Sequence, residues 1–219
     1  HVTIDGSHAT RGPMVDSLNR IIGPNDLFGV MTQNTDPRAL TLGRRLLSVE
    51  EQLSKYWAWG ERYRISTDPN DPMEDTLKRC FEYLPPTLSD PAKPWLISDN
   101  GQQRVLYELL IDRRREDRTL TALEKLIDRL RGMREARTVT LIVTEGWRLF
   151  REDRATMEQA AVYGPQMPIV GSSGGRITLG DQSPNRGSYA NLKDCNDELV
   201  RLSMLDDDRR FKDLLRQAN

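Results

Sequence analysis

The segment from Thr138 to Thr144 constrains the fold more than any other part of this sequence. It reads TVTLIVT, and every residue except Leu141 is β-branched. Short runs of this kind are typical of strands, and a strand without charged positions is typical of a sheet that is covered on both faces. We therefore predict a buried strand that ends at Glu145 and Gly146.

Amphipathic helices are predicted around this strand. Residues 119–133 carry apolar side chains at helical spacing and lead directly into it. A second strand is predicted over 26–32, where DLFGVMT is bounded by turn residues, and a weaker edge strand over 39–46. Further helices are predicted over 10–22, 49–63, 73–84, 103–117 and 151–163, and 195–219 is predicted as one broken helix or two short ones. Ser48 and Glu51 are predicted to form a capping box before the helix at 49–63.

The predicted fold class is α/β, because strands separated by amphipathic helices form open, mostly parallel sheets with helices on their faces. A length of 219 residues suits one domain with a sizeable insertion. Residues 66–100 are rich in Asp, Asn and Pro, so we assign an insertion of helical and irregular structure to about 48–117. The core of the single domain is then 1–47 and 118–219. Three strands are few for such a sheet, and more are expected beyond this sequence.

Charge and hydropathy exclude two classes of partner. The chain has 32 basic and 33 acidic residues, so no overall field attracts nucleic acid. No apolar run approaches the roughly 20 residues that span a bilayer. The sequence begins without methionine or a leader and stops directly after a helical pattern. We therefore expect a piece of a longer protein, incomplete at both ends, whose compartment is unknown.

Cys80 and Cys195 are the two cysteines. They lie far apart in the sequence, and unpaired thiols are favoured over a single bridge. The two histidines, His1 and His8, have no cysteine near them, which disfavours a zinc site.

Glu145 is the main candidate for a site, because ligands of open α/β sheets bind beyond the carboxyl ends of the strands. A carboxylate there can coordinate a hard cation, act as a general base, or cap the N–H groups of a following helix. Thr119 is predicted just before the helix that feeds the strand. Its hydroxyl is either a second oxygen ligand beside Glu145 or an ordinary N-cap of that helix.

These residues resemble the von Willebrand factor A (VWA) domain, and more narrowly its bacterial VWFA-related type. The resemblance rests on DLFGVMT and on RTLTALEKLIDRLRGMREARTVTLIVTEGW. It implies a Rossmann-like open sheet and a metal-ion-dependent adhesion site built from Asp-x-Ser-x-Ser, a threonine and the aspartate of Thr-Asp-Gly. Thr119 matches the threonine, and Glu145 stands at the aspartate.

The first element of that site is only partly matched. Asp5 and Ser7 stand in IDGSHAT, but Ala9 replaces the second serine, and an ordinary turn is the alternative reading. Glu145 is also one methylene longer than aspartate. The resemblance therefore implies a degenerate site, with Mg²⁺ as the candidate ion.

The function implied by the resemblance is a non-catalytic protein-interaction module of the adhesion type. Its partner is a protein, and the compartment is the cell envelope or the exterior. Two alternatives remain: a metal-assisted hydrolase that uses Glu145, and a purely structural segment of a larger envelope protein.

Two further motifs are read as structural. Residues 171–175 satisfy G-x-S-x-G, but no histidine follows them, so a flexible turn is favoured over a nucleophile elbow. The mixed-charge run DRRRED at 112–117 is typical of a solvated helix end, and its arginines alternatively suit an acidic partner.

Overall fold

A computed structural model gives the structure of this chain. It describes the backbone of residues 4–32, 35–44, 48–56, 68, 71–84, 93–99, 101–133, 138–144, 146–156, 169–173, 176–180 and 189–218. Side chains are described in these ranges except at 4–8, 52, 54–56, 169–173, 176–180 and 189–193.

Contacts between residues divide the chain into two compact units. Unit 1 consists of His1–Asn70, Arg115–Leu149 and Asp207–Asn219, and unit 2 consists of Asp71–Arg114 and Phe150–Asp206. This division differs from the predicted core and insertion, because unit 2 takes residues from both.

The described helices are α1 (Ile4–Ile21), α2 (Val49–Tyr56), α3 (Pro72–Phe81), α4 (Leu106–Arg131), α5 (Tyr189–Ser203) and α6 (Asp207–Ala218), with a 3₁₀ turn at Pro37–Ala39. The described strands are β1 (Leu27–Phe28), β2 (Gly43–Arg44), β3 (Leu96–Asp99), β4 (Gln102–Val105), β5 (Ile169–Ser173) and β6 (Arg176–Gly180).

The strands form three separate antiparallel pairs, namely β1 with β2, β3 with β4, and β5 with β6. The fold is thus a mixture of helices and small antiparallel sheets. No parallel pair occurs among the described residues, so the open parallel sheet is not seen in them. The strand predicted over 26–32 is reduced to the two residues of β1, and its partner β2 lies inside the predicted edge strand.

The strand predicted over 138–144 is absent from the structure. These residues have no regular secondary structure, and the side chain of Val139 is 82% exposed, with Leu141 and Ile142 also exposed. A strand requires a neighbouring chain to accept and donate its backbone hydrogen bonds. None of the described strands pairs with this segment, which accounts for the difference.

One part of the unit 1 core lies between α1 and α2. Met14, Val49 and Leu53 are buried there, and Val143 packs against them. The capping box predicted before α2 is confirmed, because the backbone N–H of Glu51 donates to Ser48 Oγ (3.2 Å) and that of Ser48 donates to Glu51 Oε2 (3.0 Å).

A second cluster in unit 1 joins α4 and α6. It buries Leu123, Leu126 and Leu214, and the Trp147 side chain packs against it. The apolar face predicted for 119–133 is therefore a core face, as its spacing indicates.

Unit 2 has the largest core, which contains Leu77 and Phe81 of α3 and residues of α4 and α5. The Phe81 and Trp95 rings meet edge to face with centroids 5.6 Å apart. Asp71 caps α3 by accepting from the N–H of Met73 (3.3 Å), and Pro72 occupies the first helical position, where its missing N–H costs nothing.

Two helices predicted over 103–117 and 119–133 are one helix in the structure, because α4 runs through both. No glycine or proline lies between Leu106 and Arg131, so nothing in the sequence stops the helix. Residues 103–105, predicted as the start of a helix, instead belong to β4. It pairs with β3 across a turn in which Gly101 has φ +79°, a conformation that favours glycine.

Cys80 and Cys195 form a disulfide, with their Cα atoms 6.5 Å apart. The prediction of two unpaired thiols is therefore wrong. Sequence separation misled it, because the packing of α3 against α5 brings together residues that are 115 positions apart.

The glycine- and serine-rich stretch predicted as a flexible turn contains a hairpin. β5 and β6 pair from Ile169 opposite Gly180 to Ser173 opposite Arg176. The end of the chain, predicted as one broken helix or two, is two helices, α5 and α6.

Candidate functional site

Thr119 lies in the interior of α4, thirteen residues after the helix begins. Its hydroxyl donates to the carbonyl oxygen of Arg115 (2.8 Å), one turn earlier. The alternative reading of Thr119 as an N-cap is therefore wrong, because α4 continues through the position where a helix start was predicted.

Asp5 and Ser7 lie in the first two turns of α1, which begins at Ile4. The alternative of an ordinary turn is replaced by helix at these positions, and their side chains are outside the described residues. Glu145 also lies outside the described residues.

Thr144 and Gly146, on either side of position 145, are described and are hydrogen-bonded to each other. Thr144 Oγ1 accepts the N–H of Gly146 (3.2 Å) and lies 3.1 Å from the Gly146 carbonyl oxygen, to which it donates. Gly146 has φ +121°, a region that residues with a Cβ rarely occupy. The glycine of this motif is thus required by the backbone.

Glu116 of α4 holds the chain that leaves this turn. Its carboxylate accepts the N–H groups of Arg148 (3.0 Å) and Leu149 (2.6 Å). The Glu116 side chain is buried, and hydrogen bonds to a charged acceptor are among the stronger ones in proteins. Leu149 has φ +50°, so these two bonds fix a backbone conformation that is otherwise unfavourable.

The Trp147 side chain packs the same segment against α4 and α6. Its ring lies 5.4 Å from the ring of Phe211 in α6, and it packs on the Leu123, Leu126 and Leu214 cluster. Residues 144, 146–149 and 116–119 therefore form one site within unit 1, which we call the α4 turn site.

Thr119 follows Glu116 by three residues, and residues at this spacing share a helix face. Glu145 precedes Arg148, which Glu116 binds, by three residues along the chain. Glu116, which the sequence did not single out, therefore joins the helical turn that carries Thr119 to Arg148 and Leu149. No signal marked Glu116, because it is one charge within the run at 112–117.

In the part of the chain that the structure describes, no group of three or more His, Cys, Asp or Glu side chains is arranged to hold a metal ion. The described side-chain oxygens of the α4 turn site belong to Glu116, Asp117, Thr119 and Thr144. Both Glu116 oxygens accept backbone N–H groups, Asp117 accepts from Arg210, and the hydroxyls of Thr119 and Thr144 bond backbone groups. An Mg²⁺ ion requires several oxygen ligands in octahedral geometry, and no such group occurs among the described residues.

Unit 2 contains a buried charged network that sequence reasoning also missed. Arg114 donates Nε and Nη2 to the two oxygens of Asp71 (2.7 and 2.8 Å) and Nη1 to Glu198. Arg201 donates to both oxygens of Glu198 (2.8 Å each). Side-chain exposure is 6% at Asp71 and 9% at Glu198, but 42% at Arg201, so the two carboxylates are largely removed from water while Arg201 reaches the surface.

The pKa of Glu198 is set by opposing effects. Burial raises it, but the hydrogen bond from Arg201 and the positive charges of Arg114 and Arg201 lower it, and the net pKa lies below its ordinary value. The carboxylate therefore remains ionised, and the network serves structure in unit 2.

Arg113 is a further buried arginine of unit 2 whose guanidinium is bound by groups from distant segments. It donates Nη1 to the carbonyl of Leu202 (3.1 Å) and Nη2 to that of Arg151 (3.0 Å), and its guanidinium lies 4.8 Å from the Phe150 ring centroid. None of residues 112–117 is exposed. The prediction of a solvated helix end is wrong, since the run lies mid-helix and its charges meet partners from distant segments.

None of the described helices has the length and apolar character needed to cross a membrane. Comparison of the chain with protein-family models, curated proteins and solved structures gives no match.

Proposed function

We propose that this chain is a protein-interaction module of the adhesion type, similar to a VWA domain, whose metal-ion site is degenerate and whose role is not catalytic. One observation carries the proposal: the two hydrogen bonds from the N–H groups of Arg148 and Leu149 to Glu116. They tie the segment of Glu145 to the helical turn of Thr119, the two residues that match the adhesion site.

A rigid support for the site favours binding. The Gly146 turn, the Glu116 contacts and the Trp147 anchor each limit the motion of the chain on either side of position 145. A binding residue on a rigid support loses less conformational entropy when a partner is bound. Because Ala9 stands where the adhesion motif has a serine and Glu145 where it has an aspartate, the proposed contact with the partner is independent of metal.

The open parallel sheet belongs to the same proposal. Residues 138–144 have strand-forming side chains but no regular secondary structure, and 138–142 are exposed. Membership of a sheet would require neighbouring strands from outside the described residues. The proposed sheet therefore depends on partners for 138–144 that the described strands do not supply.

Metal dependence is tested by thermal unfolding with Mg²⁺, Mn²⁺ or Ca²⁺. We expect no rise in Tm at millimolar concentrations, and no difference between the native chain and Glu145→Ala. Thr119→Val removes the second candidate ligand, and Glu50→Ala serves as an exposed acidic control. A rise in Tm that Glu145→Ala and Thr119→Val abolish, and Glu50→Ala retains, shows an intact metal site.

Partner binding is tested with a photo-crosslinking amino acid at position 145, and at position 50 as the control, in an extract of the source cells. We expect discrete protein adducts from position 145 alone. Equal labelling from both positions, or from neither, contradicts the interaction module.

The alternative of a metal-assisted hydrolase makes a separate prediction. Hydrolysis of p-nitrophenyl acetate or p-nitrophenyl phosphate in the presence of Mg²⁺ would be lost in Glu145→Gln. We expect both proteins to show the same background rate. Turnover that depends on Glu145 would replace the proposal with an enzyme.

A further inference from the structure

We propose that the Cys80–Cys195 disulfide makes the fold of unit 2 conditional on an oxidising environment, and that the protein therefore works in a compartment whose oxidants form protein disulfides. This inference is independent of the adhesion proposal, because it concerns unit 2 and uses none of the α4 turn site.

The bridge joins the two separate pieces of sequence that build unit 2. Cys80 lies at the end of α3, in the piece Asp71–Arg114, and Cys195 lies in α5, in the piece Phe150–Asp206. Their Cα separation of 6.5 Å lies within the range that disulfides span. The bond therefore closes a long loop, because the two cysteines are 115 positions apart in the sequence.

The bridge is part of the core of unit 2. Cys195 is fully buried, and it lies in one cluster with Leu77, Phe81 and Leu199, while Cys80 is half-buried at the edge of the same cluster. A buried bridge contacts solvent reductants poorly, so its role is structural and not that of an exposed, rapidly exchanging pair.

Formation of the bridge is a two-electron oxidation. The Cys80 and Cys195 thiols lose two protons and two electrons as the S–S bond forms. A protein or small-molecule disulfide accepts the electrons by exchange and is released as two thiols. Compartments with such oxidants retain protein disulfides, whereas the glutathione and thioredoxin systems of a reducing cytosol keep thiols reduced.

Loss of the bridge raises the conformational entropy of the denatured chain and changes the folded structure less. A cross-link across a long loop stabilises mainly by restricting the unfolded ensemble. Without it, the described contacts that remain are those of the apolar cluster and of Arg114, which joins Asp71 at the start of α3 to Glu198 of α5. We therefore expect unit 2 to be stable when oxidised and marginal when reduced.

The experiment uses the full 219-residue chain, exported to an oxidising compartment during expression and purified without reductant. Alkylation of the denatured, unreduced protein should modify neither cysteine. Reduction with a phosphine, verified by mass, should lower the Tm of unit 2 by about 15 °C or more, from the usual effect of a long-loop bridge on a domain of this size.

A matched variant separates the bridge from the reductant itself. Cys80→Ala with Cys195→Val keeps the core apolar, and it should melt with the reduced native chain and show no response to phosphine. If that variant does not fold, the reduction of the native chain still decides the question. Alkylation of both cysteines in the unreduced protein overturns the proposal, as does an unchanged Tm after verified reduction.

Expression without export tests whether the bridge and the Tm depend on the compartment in which the chain folds. The cytosolic product should carry two alkylatable thiols and melt at the lower temperature. A cytosolic product that is reduced and melts with the oxidised protein overturns the conditional fold.

Discussion

The runs at 112–117 and 138–144 differ in composition, since one is charged and the other is β-branched. The burial of each run is the opposite of what its composition suggests. DRRRED has six charged residues, none of which is exposed, whereas TVTLIVT has no charge and its first five residues are exposed. The charged run meets carboxylates, arginines and backbone carbonyls from distant segments. The β-branched run meets no described strand. Burial thus depends on whether a segment finds suitable partners. Composition sets the free-energy cost of burying a polar or charged side chain that finds none.

The largest test of this comparison is Arg114→Ala. It leaves Asp71 and Glu198 largely buried without their shared guanidinium, and breaking a buried ion pair typically costs about 3–5 kcal/mol. Urea unfolding should show this loss in the free energy of unfolding. Arg216→Ala, whose exposed pair with Asp213 is 3.2 Å long, should cost at most about 0.5 kcal/mol. Equal losses in the two variants would refute a structural role for the buried network.

A smaller loss is expected for Glu116→Gln in the other half of the charged run. The amide offers one acceptor oxygen where two N–H groups are bound, and its own N–H₂ faces the second donor. We expect a loss of about 2–3 kcal/mol in the free energy of unfolding, because hydrogen bonds to a buried charge are strong. Glu50→Gln on the surface is the control. A loss below about 0.5 kcal/mol would show that Glu116 does not hold the α4 turn site.

The acid response of the network should be smaller again. The pKa of Glu198 lies below its ordinary value of 4.5, so the unfolded state binds this proton more tightly than the folded state. The stabilisation is complete above the ordinary pKa and is lost as the pH falls through the folded pKa. The Tm, measured by thermal unfolding from pH 7 to 3, should therefore fall below about pH 4.5.

Glu198→Gln is the variant that assigns this decline. It should cost about 1–2 kcal/mol at pH 7, since one amide oxygen still accepts from an arginine. The difference in Tm between the native chain and the variant should narrow as the pH falls. A constant difference over this range would assign the acid response to other carboxylates.

The smallest effect is predicted for the apolar run. Val139→Asp places a charge where the side chain is 82% exposed, and surface changes of this kind usually stay within about 0.5 kcal/mol. Val143→Asp, at a half-buried position against the α1 and α2 cluster, should cost more. If Val139→Asp lowers the free energy of unfolding by about 3 kcal/mol, the segment is covered as a central strand would be.

Several elements followed from sequence because their contacts are local. The Ser48–Glu51 box precedes α2, and the apolar spacing of 119–133 marks the core face of α4. The β3–β4 hairpin was missed, although Asn100 and Gly101 form a dipeptide typical of such turns. Thr119 was placed at a helix start, although no glycine or proline between Leu106 and Arg131 stops the helix that continues through it.

Thr119 and Glu145 stay predictions as site residues. Glu116 could not be predicted from the sequence, because its role depends on backbone N–H groups 32 and 33 residues away. The described residues also leave the von Willebrand factor A resemblance and its metal site as proposals, to be decided by the Glu145 and Thr119 variants.

The sequence by itself determined the Ser48–Glu51 box before α2, the apolar core face of 119–133, and that a β-branched segment precedes Glu145. Such features depend on residues within about four positions, whose meeting costs little chain entropy. Only the tertiary structure decided that Arg114 meets Asp71 and Glu198, 43 and 84 positions away, that Cys80 meets Cys195, and that none of the described strands pairs with 138–144. Contacts at that range exist only when the packing of whole helices has already brought the chain segments together.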